Sequence, residues 1–185
     1  MSAAPASPVE RLHSDLGSVL AMLRDAHEPS LQSIVDDHAR KATLLAAASY
    51  FEHQVTQHLT ALAAAAGNDR LCAFVRNKAI ARQYHTLFDW NARNANTFFS
   101  LFGPEFKARM AELVDGDEAL ANGIRAFLEL GQERNRLVHQ DYASFTLEKT
   151  STEIFALYQS ALTFVSRLPS LLQPESEADA DCSAR

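Results

Sequence analysis

Between Pro29 and the Gly67-Asn68 pair runs a long segment with no strand-like alternation. Leu44, Ala48, Phe51, Val55, Leu59 and Leu62 recur along it at helical spacing, so one apolar stripe faces a core. Pro29 suits a first turn and Gly67-Asn68 a stop, which predicts one long central helix. A helix of that length needs other helices to cover it.

The rest of the chain offers them. A second helix is expected from Asn68 to about Trp90, then an Asn-rich aromatic connector over residues 91–103, with Gly103-Pro104 breaking the chain before a short helix. Asp115 and Glu118 have capping-box spacing and open a helix whose stripe is Leu120, Ile124, Phe127, Gly131, Arg134 and Val138. Thr150 and Glu153 repeat that signal before a last helix with Ile154, Tyr158, Ala161, Leu162, Val165 and Leu168 inward, ending at Pro169. The expected class is an all-α antiparallel bundle.

Residues 1–8 and 173–185 are small, polar or acidic and are expected to be tails around one domain, residues 9–172. With 185 residues, 47% hydrophobic and 22% charged, the chain is long enough to bury a core without disulfides. Its two cysteines give no disulfide framework, and no signal-like or bilayer-length apolar run occurs, so a cytoplasmic, non-membrane protein is expected. A net charge of -6 argues against coating nucleic acid with the whole surface, so any RNA contact must be local.

The chemistry concentrates in Glu133-Arg-Asn-Arg-Leu-Val-His-Gln-Asp-Tyr142. Arg134 offers a permanently charged fork suited to phosphate, and His139 an imidazole, a side chain able to move protons. Asn135 and His139 lie one turn apart on a helix, while Arg134 continues the apolar stripe, so convergence of all three requires distortion near residue 138. Glu52 shares the long helix's stripe with Leu45, Ala48 and Val55 and would need a cation if buried, with Arg134 the candidate. Arg70, Arg76, Lys78, Arg82 and Arg93 form the best local basic stretch, with Tyr84, Phe88 and Trp90 interspersed. Arg76-Asn77 copies the start of the Arg-Asn pair, but the next histidine, His85, is too far along and the match reads as a decoy. Phe98, Phe99 and Phe102 read as packing. HExxH, cysteine-ligand, GxSxG and glycine-rich phosphate motifs are missing, so neither metal nor cofactor is expected.

Arg134-Asn135-x-x-x-His139 resembles the RNxxxH motif of the HEPN superfamily. Ala48-Ser-Tyr-Phe-Glu-His53, Asn94-Ala-Asn-Thr-Phe-Phe-Ser-Leu-Phe-Gly103 and His139-Gln-Asp-Tyr142 are similar to its RiboL-PSP branch, over roughly residues 35 to 170. The resemblance implies a homodimeric, metal-independent endoribonuclease of toxin or antiphage-defence type. Its active site would be shared between subunits, with Arg134, Asn135, His139 and Glu52 catalytic and an antitoxin or other regulator as a further partner. Arg136, Tyr142, Arg76, Lys78 and Arg82 are the candidates for substrate contact. Tyr142 stands three residues past His139, not the two of HEPN toxins silenced on a tyrosine, which speaks for packing. A non-catalytic dimerisation or nucleotide-binding module is the alternative.

Overall fold

The computed structural model describes residues 6–173, among which there are seven α-helices and no strand. Helix α1 covers Pro8–Asp25, α2 Pro29–Ala65, α3 Asp69–Val75, α4 Asn96–Ser100, α5 Pro104–Gly116, α6 Glu118–His139 and α7 Ser151–Leu171. Most of residues 1–8 and 173–185, expected as tails, lie outside the described residues. Ser7 and Pro8 belong to the start of α1: the Ser7 hydroxyl accepts the Glu10 amide, the Glu10 carboxylate answers from the third helical position, and Tyr158 Oη donates to Ser7 Oγ at 2.8 Å.

Four long helices make the bundle. His13 of α1 stacks on Phe155 of α7 while Ser7 meets Tyr158, so α1 and α7 run in opposite directions. Asp117 pairs with Arg167 at one end of α6 and Glu129 with Lys149 farther along, which makes α6 and α7 antiparallel too. Phe51 meets Phe127, whereas Lys41 reaches Tyr142, so α2 opposes α6. The order is up, down, up, down, with residues 66–117 inserted between the second and third helices.

Aromatic side chains fill the middle. Phe51, Phe98, Phe99, Phe127, Tyr158 and Phe164 are all buried and meet through stacked and edge contacts. Helix α6 can approach α7 closely because residue 123 is glycine: a Cβ there would lie 3.0 Å from the Phe164 nitrogen and the Ser160 oxygen. At the other extreme, α1 buries only Val9, and the first buried residue of α2 is Ala39. The hairpin they form therefore extends beyond the core, with Val19, Met22, Leu31 and Ile34 exposed.

Several expected boundaries differ. The helix expected to Trp90 stops at Val75; a π-helical turn follows over Arg76–Ile80, then extended Ala81, Arg82 at φ +61°, and a 3-10 turn over Tyr84–Thr86. Packing overrides local preference here. Phe88 stacks on Phe98 and meets Phe127 edge-on, while Trp90 lies on α6, and the broken path of the backbone delivers both. The connector itself contains α4, whose Phe98 and Phe99 are buried.

The cap of α6 is Asp117, whose carboxylate accepts the Leu120 amide at 2.9 Å, because α5 continues to Gly116 and absorbs Asp115. Leu137, not Val138, continues the buried face of α6; it follows Leu130 by two turns, and Val138 is 43% exposed. Pro169 does not end α7, which continues to Leu171, where buried Leu171 and Leu172 hold the last turn to the core.

Candidate functional site

Helix α6 carries Gly131, Arg134 and Asn135 on adjoining positions of one face, and α2 presents Ala48 and Glu52 opposite. The loop after the π turn supplies Tyr84, His85 and Trp90. Together these eight residues line a cavity of about 60 Å³. The lining residues bring one guanidinium, one carboxylate, one carboxamide, one phenol, one imidazole and one indole.

Gly131 is the residue that lets the loop close on the helix. The indole of Trp90 lies so near the α6 backbone that a Cβ at residue 131 would sit 2.0 Å from two of its ring carbons. Trp90 is held from the other side by Nε1, which donates to the His85 carbonyl at 2.8 Å, and by contacts with Tyr84, Phe88 and Phe127. The Thr86 hydroxyl donates to the Gln83 carbonyl at 2.8 Å and stitches the 3-10 turn on which His85 stands. The cavity wall is thus fixed by packing on one side and by a stapled turn on the other.

Arg134 and Asn135 are partly buried, and Arg134 Nη1 donates to Asn135 Oδ1 at 3.1 Å. This bond orients the fork while leaving its other donors for an anion. Glu52 is exposed at the cavity edge, and no ion pair with Arg134 occurs among the described residues, so the carboxylate needs no buried cation. Both groups act on the Tyr84 phenol. Burial pushes its pKa well above the usual phenol range, the Glu52 carboxylate adds to that rise, and Arg134 opposes it. Tyr84 consequently stays neutral and keeps its hydroxyl hydrogen.

His139 does not join this lining. Helix α6 runs unbroken to His139 and then turns extended at Gln140, so the distortion expected near residue 138 is missing. Five residues on an unbroken helix turn about 140°, which separates Arg134 from His139. Asn135 and His139 keep their one-turn relation along the helix, and His139 is exposed.

The remaining candidates lie elsewhere. Arg136 faces away: it pairs with Glu133 at 3.0 Å and sits 5.7 Å over the Phe145 ring. Arg76 and Lys78 are exposed on the π turn and Arg82 on the strained residue after it, all outside the cavity lining. Tyr142 is 43% exposed and its ring lies 5.2 Å from Lys41 Nζ. Among the described residues no group of three or more His, Cys, Asp or Glu side chains is arranged to hold a metal ion.

Tyr84, His85, Trp90 and Gly131 were not legible as site residues, since they come together only through the broken helix. A glycine on an otherwise large-residue stripe was the one available signal. Lys41 was missed as well. It is 2% exposed, pairs with Asp37 at 2.9 Å and donates to the Tyr142 carbonyl at 3.2 Å, while neighbouring Arg40 donates to the Leu147 carbonyl at 2.6 Å. These two cations fasten residues 140–147, the loop that leaves His139, onto α2.

Lys41→Met is expected to remove the fastening and leave Asp37 and the carbonyl short of a donor, at a cost of about 1–3 kcal/mol. Denaturant unfolding checks the loss, and limited proteolysis should place the first new cut between residues 140 and 148.

No helix among the described residues is long and apolar enough to cross a membrane. No curated protein and no solved structure matches the chain. The RiboL-PSP-HEPN family model matches residues 10–173, from the first turn of α1 to the end of the described chain. The match spans every helix and both walls of the cavity, and the protein belongs to the RiboL-PSP-HEPN family.

Proposed function

We propose that this protein is a metal-independent endoribonuclease that acts as a homodimer. The observation that carries the reading is the cavity in which Arg134 and Asn135 face Glu52, within a family that supports either a ribonuclease or a nucleotide-binding role. Arg134 holds the scissile phosphate and its developing charge, Asn135 orients it, and His139 moves a proton. The 2'-oxygen attacks phosphorus and the bond to the 5'-oxygen breaks, leaving a 2',3'-cyclic phosphate and a 5'-hydroxyl. Arg76, Lys78 and Arg82 extend the path of the RNA, in line with their exposure beside the cavity wall. Arg136 and Tyr142 contact RNA beyond the cavity. A cytoplasmic toxin or antiphage-defence effector held by an antitoxin is the setting this reading fits.

Dimerisation is supported by the same face. Ile34 lies about five whole turns before Glu52 on α2, so both share one azimuth, and Val138 extends the Arg134 face of α6. Both apolar residues are exposed, Val138 beside His139 in sequence and Ile34 on the part of the α1–α2 hairpin that extends beyond the core. A second copy covers them and brings its own His139 to the cavity.

The test is cleavage of a mixed-sequence RNA by the purified chain in excess chelator, alongside sedimentation. Wild type is expected to cleave as a dimer, His139→Ala to remain a dimer and lose cleavage, and Ile34→Glu to give monomers with little activity. Full cleavage by His139→Ala would refute the assignment.

The family equally supports a second reading, a module that binds RNA or nucleotide without turnover. RNAs left intact by a dimer whose melting temperature rises with nucleotide would select it.

A further inference from the structure

Cleavage by a neighbouring hydroxyl needs one group to take the 2'-proton and another to give a proton to the departing 5'-oxygen. A single imidazole serves both duties poorly. The chain's own fold offers a second imidazole where the cavity needs one. His85 lines the cavity together with Arg134, Asn135 and Glu52, and it is exposed and open to substrate. His139, one turn beyond Asn135 on α6, is exposed and outside that lining.

The position of His85 is built and not incidental. Its carbonyl receives the Trp90 indole N–H at 2.8 Å, and Trp90 is seated on Gly131, one turn before Asn135. The turn beneath it is closed by the Leu87 amide donating to the Tyr84 carbonyl at 3.2 Å and by the Thr86 hydroxyl on Gln83. The backbone of residue 85 is therefore tied to the helix that carries Arg134. The titratable and charged groups around it are Glu52 from α2, Arg134 from α6 and Tyr84 from its own turn.

Building on the ribonuclease reading, we infer that His85 is a second proton-transfer residue, paired across the phosphate that Arg134 holds with the His139 that a second copy brings to the cavity. One imidazole accepts the proton of the attacking 2'-hydroxyl as the oxygen–phosphorus bond forms. The other, as imidazolium, delivers a proton to the 5'-oxygen as its bond to phosphorus breaks. Charge and atoms balance with no metal, oxidant or further reactant. The substrate is an RNA phosphodiester with the 2'-hydroxyl free.

Two measurements on the full-length protein decide it. In the first, the rate of RNA cleavage is followed from pH 5 to 9. Wild type is expected to give a bell-shaped profile, and His85→Ala to be slower by about a hundredfold or more with one limb of the bell lost. Circular dichroism should show unchanged helix content. His85→Gln, which keeps polarity and size but cannot titrate, should behave like the alanine variant. A merely structural histidine would lower the rate at every pH and keep both limbs, and that outcome overturns the inference, as does a wild-type rate.

The second measurement does not depend on turnover. Uridine 3'-monophosphate is titrated while the imidazole C–H resonances are observed by NMR. The His85 and His139 signals should move with a common midpoint, and Arg134→Ala should abolish both movements. A stationary His85 signal overturns the inference. If wild type leaves RNA intact, the ribonuclease reading falls separately, and the titration alone then decides whether His85 faces the bound phosphate.

Discussion

Arg134→Ala is expected to lower RNA cleavage by about a hundred- to a thousandfold while the protein stays folded, since a preorganised donor aimed at developing charge is worth that much. The side chain is partly buried, and it donates to Asn135, its neighbour on the same helix. Stability should consequently change by no more than about 1 kcal/mol. Arg134→Lys is the informative companion. Lysine keeps the charge but has no planar fork, so the bond to Asn135 and two-pronged contact with a phosphate cannot coexist. It should recover only a small part of the lost rate. Single-turnover cleavage measured with saturating RNA separates this loss from weakened binding. Wild-type rates in both variants would remove the ground for placing the reaction in this cavity.

Gly131→Ala is expected to destabilise the protein by about 2–4 kcal/mol and to open the cavity wall. Two effects oppose each other. Alanine in a helix interior gains about 1 kcal/mol over glycine. Against it stands a Cβ 2.0 Å from two carbons of the Trp90 ring. Overpacking of this kind costs about 1–3 kcal/mol when the ring can shift, and losing a large aromatic from its site costs about 3–5 kcal/mol. Trp90 has little freedom to shift, held as it is by the His85 carbonyl and by Tyr84, Phe88 and Phe127. The clash therefore outweighs the helix gain. Trp90 is the sole tryptophan of the chain, so its fluorescence reports the event directly. Emission should shift to the red in the folded variant, and the midpoint of thermal unfolding should fall by about 5–15 °C. An unshifted spectrum with unchanged stability would mean that the indole does not rest on residue 131.

The legible parts of the fold were those set by periodicity. Pro29, the stripe through Phe51 and Val55, and the stop at Gly67 were enough for α2, and the Thr150–Glu153 capping box started α7 at the right residue. Residues 76–90 were not legible. Their apolar spacing is helical, but Phe88 and Trp90 gain more by meeting Phe98, Phe127 and Gly131 than the backbone loses at the π turn and at Arg82. Such a balance is struck by residues distant in sequence, so no local window contains it. The site divided along the same line. Arg134, Asn135 and Glu52 lie on regular helices, and side-chain spacing brought them to one cavity. Tyr84 and His85 reach it only through the broken segment, and no spacing along the chain announces them.

The contact between Trp90 and Gly131 has one more consequence. One wall of the cavity is a continuous helix, its amides and carbonyls satisfied internally, while the facing wall is a segment of short turns with few backbone bonds. Partial opening costs less on the turn side. The less regular wall of the cavity is thus joined to its most regular one where Trp90 rests on Gly131.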